Sequence, residues 1–206
     1  MRGGVGTELL KIVIKIEFSP NGNYFFQIST SSPRATADFT THIYNASTGE
    51  EISVIQNSTM PSWIDNQRIV FRKYVKRDSP ENGLYIYDIT LRSEMKLEGT
   101  PVDSYNPEAL LGEGKMVFWT DLDKKLWFYD LKSREKKLLV GNAIHGLWAS
   151  PTQIVFEQIE PCIGREECGM VDYKIQSVSL YDFELGKETE SIPELQSIYG
   201  AASLYH

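Results

Sequence analysis

No apolar run in this 206-residue chain approaches the roughly 18–20 residues of a membrane-spanning helix. Behind Met1 the first apolar stretch is interrupted by Lys11 and Lys15, so the chain as given is expected to carry no export signal. Positive charge is in short supply: 21 Lys and Arg stand against 28 Asp and Glu, for a net charge of −7. A nucleic-acid backbone or an anionic membrane requires a basic face, so neither is expected as a partner. There are two cysteines, Cys162 and Cys168, separated by five residues within one loop. That is too few thiolates for a structural zinc site, and neither a metal nor a cofactor is expected. A disulfide between them is expected in an oxidising compartment or a hyperthermophile cytosol, where closing so short a loop contributes about 2 kcal/mol. No window sustains a 3.6-residue apolar period, so no long helix is expected.

What the sequence does have is repetition. Ile43-Tyr44-Asn45, Ile86-Tyr87-Asp88, Phe128-Tyr129-Asp130 and Leu180-Tyr181-Asp182 place the same strand 43, 42 and 52 residues apart. A second anchor precedes each copy: Tyr24-Phe25-Phe26, Ile69-Val70-Phe71, Met116-Val117-Phe118 and Ile154-Val155-Phe156. Short strands repeating every 40–50 residues are the mark of β-propeller blades. The fold class is therefore all-β: a β-propeller of four four-stranded antiparallel blades of about 42–52 residues, read as one domain. The blades span residues 9–55, 56–98, 99–140 and 141–192, with 193–206 as an extra strand of an incomplete or shared blade.

Within each blade four strands, a to d, can be placed. Leu9–Phe18 alternates and reads as a half-buried strand, ended by the tight turn Ser19-Pro20-Asn21-Gly22. Later a strands are expected at Ser62–Ile64, Ala109–Leu111 and Gly146–Ala149. The b and c strands are apolar on both faces, as sheets sandwiched between neighbours must be. Asn45, Asp88, Asp130 and Asp182 close the c strands, where an Asx side chain accepts hydrogen bonds from turn amides. Four such repeats point to a structural carboxylate rather than a catalytic one.

The turn Phe18-Ser19-Pro20-Asn21-Gly22 with Asn23-Tyr24-Phe25-Phe26 resembles the W-S-P-D-G-x-x-I-A-F repeat of TolB-like six-bladed propellers. Degenerate copies follow at Trp63-Ile64-Asp65-Asn66-Gln67, Leu111-Gly112-Glu113-Gly114-Lys115 and Trp148-Ala149-Ser150-Pro151-Thr152. The broader WD40-like class shares the architecture, but no Trp-Asp or Gly-His dipeptide occurs. The repeats are also similar to the propeller domain of prolyl-oligopeptidase-like hydrolases, whose chemistry resides on a separate domain carrying G-x-S-x-G; this sequence has no such motif. The resemblance implies a non-catalytic propeller. Four blades are written rather than six or seven, so the protein either closes as a small ring, forms part of a larger propeller, or pairs with a second copy. Open blade faces and strand edges favour pairing, and a two-fold homodimer is expected.

Binding is expected on the face carrying the b–c and d–a loops, because the long insertions concentrate there. The segments are 29–41, the basic hairpin 72–78 and the cysteine loop 160–174, with Asp103, Tyr105 and His145 contributed by d–a loops. Partner-binding candidates are Lys73, Tyr74, Lys76, Arg77, Asp103, Tyr105 and His145, and the partner class is a protein or peptide. A triad of His145, Asp103 and a serine is not expected, since nothing in the spacing brings these loops together. Two alternatives stand beside the binding module: a substrate-filter propeller from an oligopeptidase-like hydrolase, and a hydrolase or lyase acting in the central channel.

Overall fold

The computed structural model describes residues 12–30, 39–162 and 173–192. Sixteen strands form four sheets, each a meander whose spatial order follows the sequence. Blade 1 is β1 (Ile12–Phe18), β2 (Tyr24–Thr30), β3 (Thr40–Asn45) and β4 (Glu51–Gln56). Blade 2 is β5 (Ser58–Trp63), β6 (Arg68–Lys73), β7 (Gly83–Asp88) and β8 (Ser93–Lys96). Blade 3 is β9 (Ser104–Leu110), β10 (Lys115–Thr120), β11 (Lys125–Asp130) and β12 (Lys136–Gly141). Blade 4 is β13 (Ala143–Ser150), β14 (Gln153–Pro161), β15 (Tyr173–Asp182) and β16 (Lys187–Ile192). All strand pairs within a blade are antiparallel. No helix among the described residues is long and apolar enough to cross a membrane.

The two-sided apolar strands do what their composition predicts. On β6, Ile69 and Phe71 join a cluster with Phe26, Ile43 and Trp63 of the first two blades. Val70, one residue out of phase, joins Met116, Phe118 and Tyr129 on the side of blade 3. On β10, Met116 and Phe118 face blade 2 while Val117 and Trp119 face blade 4. The anchors Phe26, Phe71, Phe118 and Phe156 are all fully buried. Three hydrophobic clusters thus join blades 1 to 2, 2 to 3 and 3 to 4. Among the described residues no such cluster joins blade 4 to blade 1.

Local chemistry sets the turns. Asp88 Oδ1 accepts from Thr90 and Leu91 N–H at 2.9 Å each, and Asp130 Oδ1 from Lys132 and Ser133 at 2.7 and 2.9 Å. Asn45 and Asp182 repeat the pattern. Backbone donors from Ser133 and Lys132 hold the Asp130 carboxyl below its ordinary value. At the first a–b turn, Gly22 sits at φ 71° and donates to Ser19 O at 2.8 Å. Inter-blade ties recur too: Trp63 Nε1 donates to Glu17 O at 3.4 Å, and the equivalent Trp148 Nε1 to Glu108 O at 3.1 Å.

The inner strands correct two expectations. First, β5, β9 and β13 begin well before the expected Ser62, Ala109 and Gly146. Each carries a bulge with a left-handed residue: Met60 at φ 54°, Asn106 at 43° and His145 at 53°. The following Pro61, Pro107 and Gly146 interrupt the alternation, but pairing resumes on the far side. At Gly146 a Cβ would come within 2.8 Å of Leu126 Cδ1, so close packing of blade 4 on blade 3 requires glycine there. Tyr105 and His145 therefore belong to strands, not to d–a loops. Second, β1 is not half-buried. Ile12, Ile14, Ile16 and Phe18 are between 42% and 59% exposed; a bulge between Val13 and Lys15 breaks the alternation and puts Ile12 in phase with Lys15 and Glu17, not with Ile16 and Phe18. The stretch 9–11, most of segment 29–41, the centre of the cysteine loop and the extra strand 193–206 lie outside the described residues.

Candidate binding site

The residue after each anchor Phe marks the site. Gln27, Arg72, Trp119 and Glu157 hold this position in the four b strands, at the end from which the b–c loops leave. Three of them reach one another's neighbours on the inner strands. Arg72 is only 5% exposed, and its guanidinium carbon lies 3.8 Å from the centre of the Tyr105 ring and 4.7 Å from that of Tyr74. Tyr105 stacks on Trp119 at 5.1 Å. Trp119 meets the His145 ring edge-on at 5.5 Å, and His145 Nδ1 lies 2.8 Å from Glu157 Oε2. Lys124 lies over the Trp119 and Tyr173 rings and pairs with Asp121 at 2.6 Å. The result is a continuous file of rings and charges across blades 2, 3 and 4.

Two buried donors in this file lack a hydrogen-bond partner among the described residues: Arg72 Nε and Trp119 Nε1. Arg72 makes no ion pair among the described residues. Burial pushes its pKa down, against the pull of Tyr105, Tyr74, Asp121 and Asp103, and a guanidinium stays charged in any case. Burial likewise raises the Tyr105 phenol.

The candidate residues fall into three groups. Tyr74, Tyr105 and His145 are brought together through Arg72 and Trp119. Asp103 adjoins them but serves the backbone: its Oδ2 accepts from Leu122 N–H at 2.9 Å and its carbonyl from Asp121 N–H at 3.0 Å. It does not orient His145, whose carboxylate partner is Glu157. Lys76 and Arg77 are exposed outside the file, and Lys73 pairs with Glu94 on the outer strand of its own blade. The basic run 72–77 is thus not uniform, because its first base is buried while Lys76 and Arg77 are exposed. Sequence reasoning missed Trp119, Lys124 and Glu157, and saw Arg72 only as part of a charge run. The available signal was a charged residue directly after an anchor Phe, inside a strand buried on both faces.

Among the described residues no group of three or more His, Cys, Asp or Glu is placed to hold a metal ion. Cys162 is disulfide-bonded; Cys168, the only other cysteine in the sequence, lies outside the described residues. Two surface concavities lie elsewhere. One of about 460 Å³ is at the opposite end of blade 1, lined by Phe18, Tyr24 and Asn45. The other, about 420 Å³, runs between blades 1 and 2 past Gln56, Lys73 and Glu94.

No protein-family model matches the sequence, and no curated protein matches it. Solved structures do match in fold. TolB from Acinetobacter baumannii superposes with a TM-score of 0.62 at 16% identity, covering 91% of this chain and 45% of TolB. The β-propeller domain of the Trilobed protease from Pyrococcus furiosus gives 0.60 at 16% identity, covering 88% of this chain and 57% of that one. A puromycin-hydrolyzing peptidase from Mycobacterium tuberculosis gives 0.64 at 18%, covering 91% and 30%. The protein has the β-propeller fold, with the TolB-like resemblance that its turns suggest. It spans about half the length, or less, of these structures.

Proposed function

We propose that this protein is a non-catalytic propeller module that binds a protein or peptide segment on its b–c and d–a loop face. The observation that carries the reading is the file from Tyr74 to Glu157: half-buried and buried rings beside two buried donors with no partner among the described residues. Aromatic and arginine side chains dominate binding surfaces because they combine large contact area with directional donors. The test is selection from a displayed peptide library, followed by affinity measurement. Tyr74→Ala and Tyr105→Ala are expected to weaken selected peptides at least tenfold, order of magnitude for a contact of this kind. Leu91→Ala, on the opposite face, is expected to leave them unchanged. Peptides indifferent to both tyrosines would refute the reading.

A second reading follows from the peptidase neighbours: the propeller is the substrate filter of a larger hydrolase. It requires that the gene encode a further domain with G-x-S-x-G, which sequencing of the full reading frame decides.

The exposed apolar residues of strand β1 support self-association through that strand. For the 206 residues as given, light scattering after size exclusion is expected to return twice the monomer mass of 23.5 kDa. A constant monomer mass over a tenfold concentration range would exclude the dimer.

A further inference from the structure

A guanidinium withdrawn from water loses its hydration, and a protein normally returns it as an ion pair or as hydrogen bonds. Among the described residues Arg72 has no ion pair, and its Nε has no hydrogen-bond partner. The side chain is 5% exposed and lies against the Tyr74 and Tyr105 rings. Cation–π contacts replace part of the lost hydration but do not engage in-plane N–H donors. The donors of a guanidinium form a planar fork whose geometric complement is a carboxylate. Trp119 Nε1, the second donor without a partner among the described residues, belongs to the ring that packs on Tyr105. It suits a single acceptor such as a peptide carbonyl.

We infer that Arg72 anchors the carboxylate of a bound peptide beside Tyr74 and Tyr105, with Trp119 Nε1 donating to a neighbouring carbonyl. This rests on the peptide-binding reading above. A singly charged carboxylate fits better than a phosphate dianion, because Asp103 and Asp121 both act electrostatically on Arg72 and would repel the greater charge more strongly. The carboxylate has two sources, the C-terminus of the peptide or one of its Asp or Glu residues, and the two are separable by experiment.

The experiment is a titration of ¹⁵N-labelled protein, following the Arg Nε–H and Trp Nε1–H signals. Two randomised N-acetyl tetrapeptide pools are used, one with free C-terminal acids and one with C-terminal amides. Asp and Glu are excluded from the random positions of both, and the amide pool is made with and without a fixed Asp. The free-acid pool is expected to shift the Arg72 Nε–H signal and to bind about tenfold tighter or more than the Asp-free amide pool, the scale of a charged hydrogen bond. Arg72→Gln is expected to abolish that preference, and Arg72→Lys to retain part of it. If the Asp-containing amides match the acids, Asp and Glu carboxylates are accepted; if they do not, the site reads C-termini. Equal binding of acids and Asp-free amides, or a preference surviving Arg72→Gln, overturns the carboxylate anchor while leaving peptide binding intact. Failure of every pool to shift any signal on the loop face overturns both. Should Arg72→Gln fail to fold by circular dichroism, the wild-type Arg72 signal and Arg72→Lys still decide.

Discussion

Trp63→Ala is expected to destabilise the protein by about 3–5 kcal/mol, the range for removing a large aromatic from a close-packed core. Trp63 is 1% exposed and stacks on Phe26 with ring centres 5.6 Å apart. It sits in the cluster with Ile43, Ile69 and Phe71 that joins blades 1 and 2. Its indole also donates to Glu17 O on β1, so the substitution removes an inter-blade hydrogen bond along with the packing. The hydrophobic clusters of the described residues link each blade only to the next, and stability approximates a sum of blade and interface contributions. The loss should therefore appear first as separate unfolding of blade 1, an early step in a urea transition followed by tryptophan fluorescence and circular dichroism. Trp148→Ala is the internal comparison. That ring makes the same kind of tie to Glu108 O but is only half-buried, so its loss should be smaller, about 1–2 kcal/mol. Equal losses at the two positions, or a loss below about 1 kcal/mol at Trp63, would show that the cluster does not join the blades as described.

The parts legible in the sequence are those whose cause is local or two-sided. The b and c strands announce themselves because a sheet packed on both faces carries apolar residues at consecutive positions, as in Ile69-Val70-Phe71 and Met116-Val117-Phe118. The Asx turns are legible because Asp88 and Asp130 contact amides only two and three residues away. The inner strands are not, because Pro61, Pro107 and Gly146 look like punctuation when each completes a bulge inside a paired strand. That single misreading moved Tyr105 and His145 into loops. On β1 the alternation hides the bulge between Val13 and Lys15, which moves Ile12 out of phase with Ile16 and Phe18, and burial depends further on whether another sheet covers a face. Arg72 is the clearest case at the site: as a letter it begins a basic run, and only its address after Phe71 reveals that it is buried. The convergence of Arg72, Trp119 and Glu157 comes from stacking successive blades, and no spacing within one blade encodes it.

Between pH 4.5 and 8 the protein is expected to lose about 2 kcal/mol of stability through one carboxyl, that of Glu108. Glu108 lies on β9, the inner strand of blade 3, and its carboxyl is pushed up to about 7. Burial is the main cause; Glu17 on β1 adds to it and Lys15 opposes it. Both of those residues belong to the inner strand of blade 1, so the inner strands of blades 1 and 3 come within electrostatic reach at the axis. The sign follows from proton counting. Above the ordinary glutamate value of 4.5 the unfolded protein gives up this proton while the folded protein keeps it, so stability falls as pH rises and stops falling once the folded group has also ionised, above about 7. The full shift corresponds to roughly 3 kcal/mol, reduced here because the carboxyl retains some contact with water. Asp65, Asp123, Asp130 and Asp182 are all held below their ordinary values, so their contributions are lost only in more acid solution and do not mask the effect. Glu108→Gln removes the titration while keeping the shape. Urea midpoints at pH 5 and pH 8, at constant ionic strength, should therefore differ by less in Glu108→Gln than in the wild type, with the variant the more stable of the two at pH 8. Parallel pH profiles would place the Glu108 carboxylate in water.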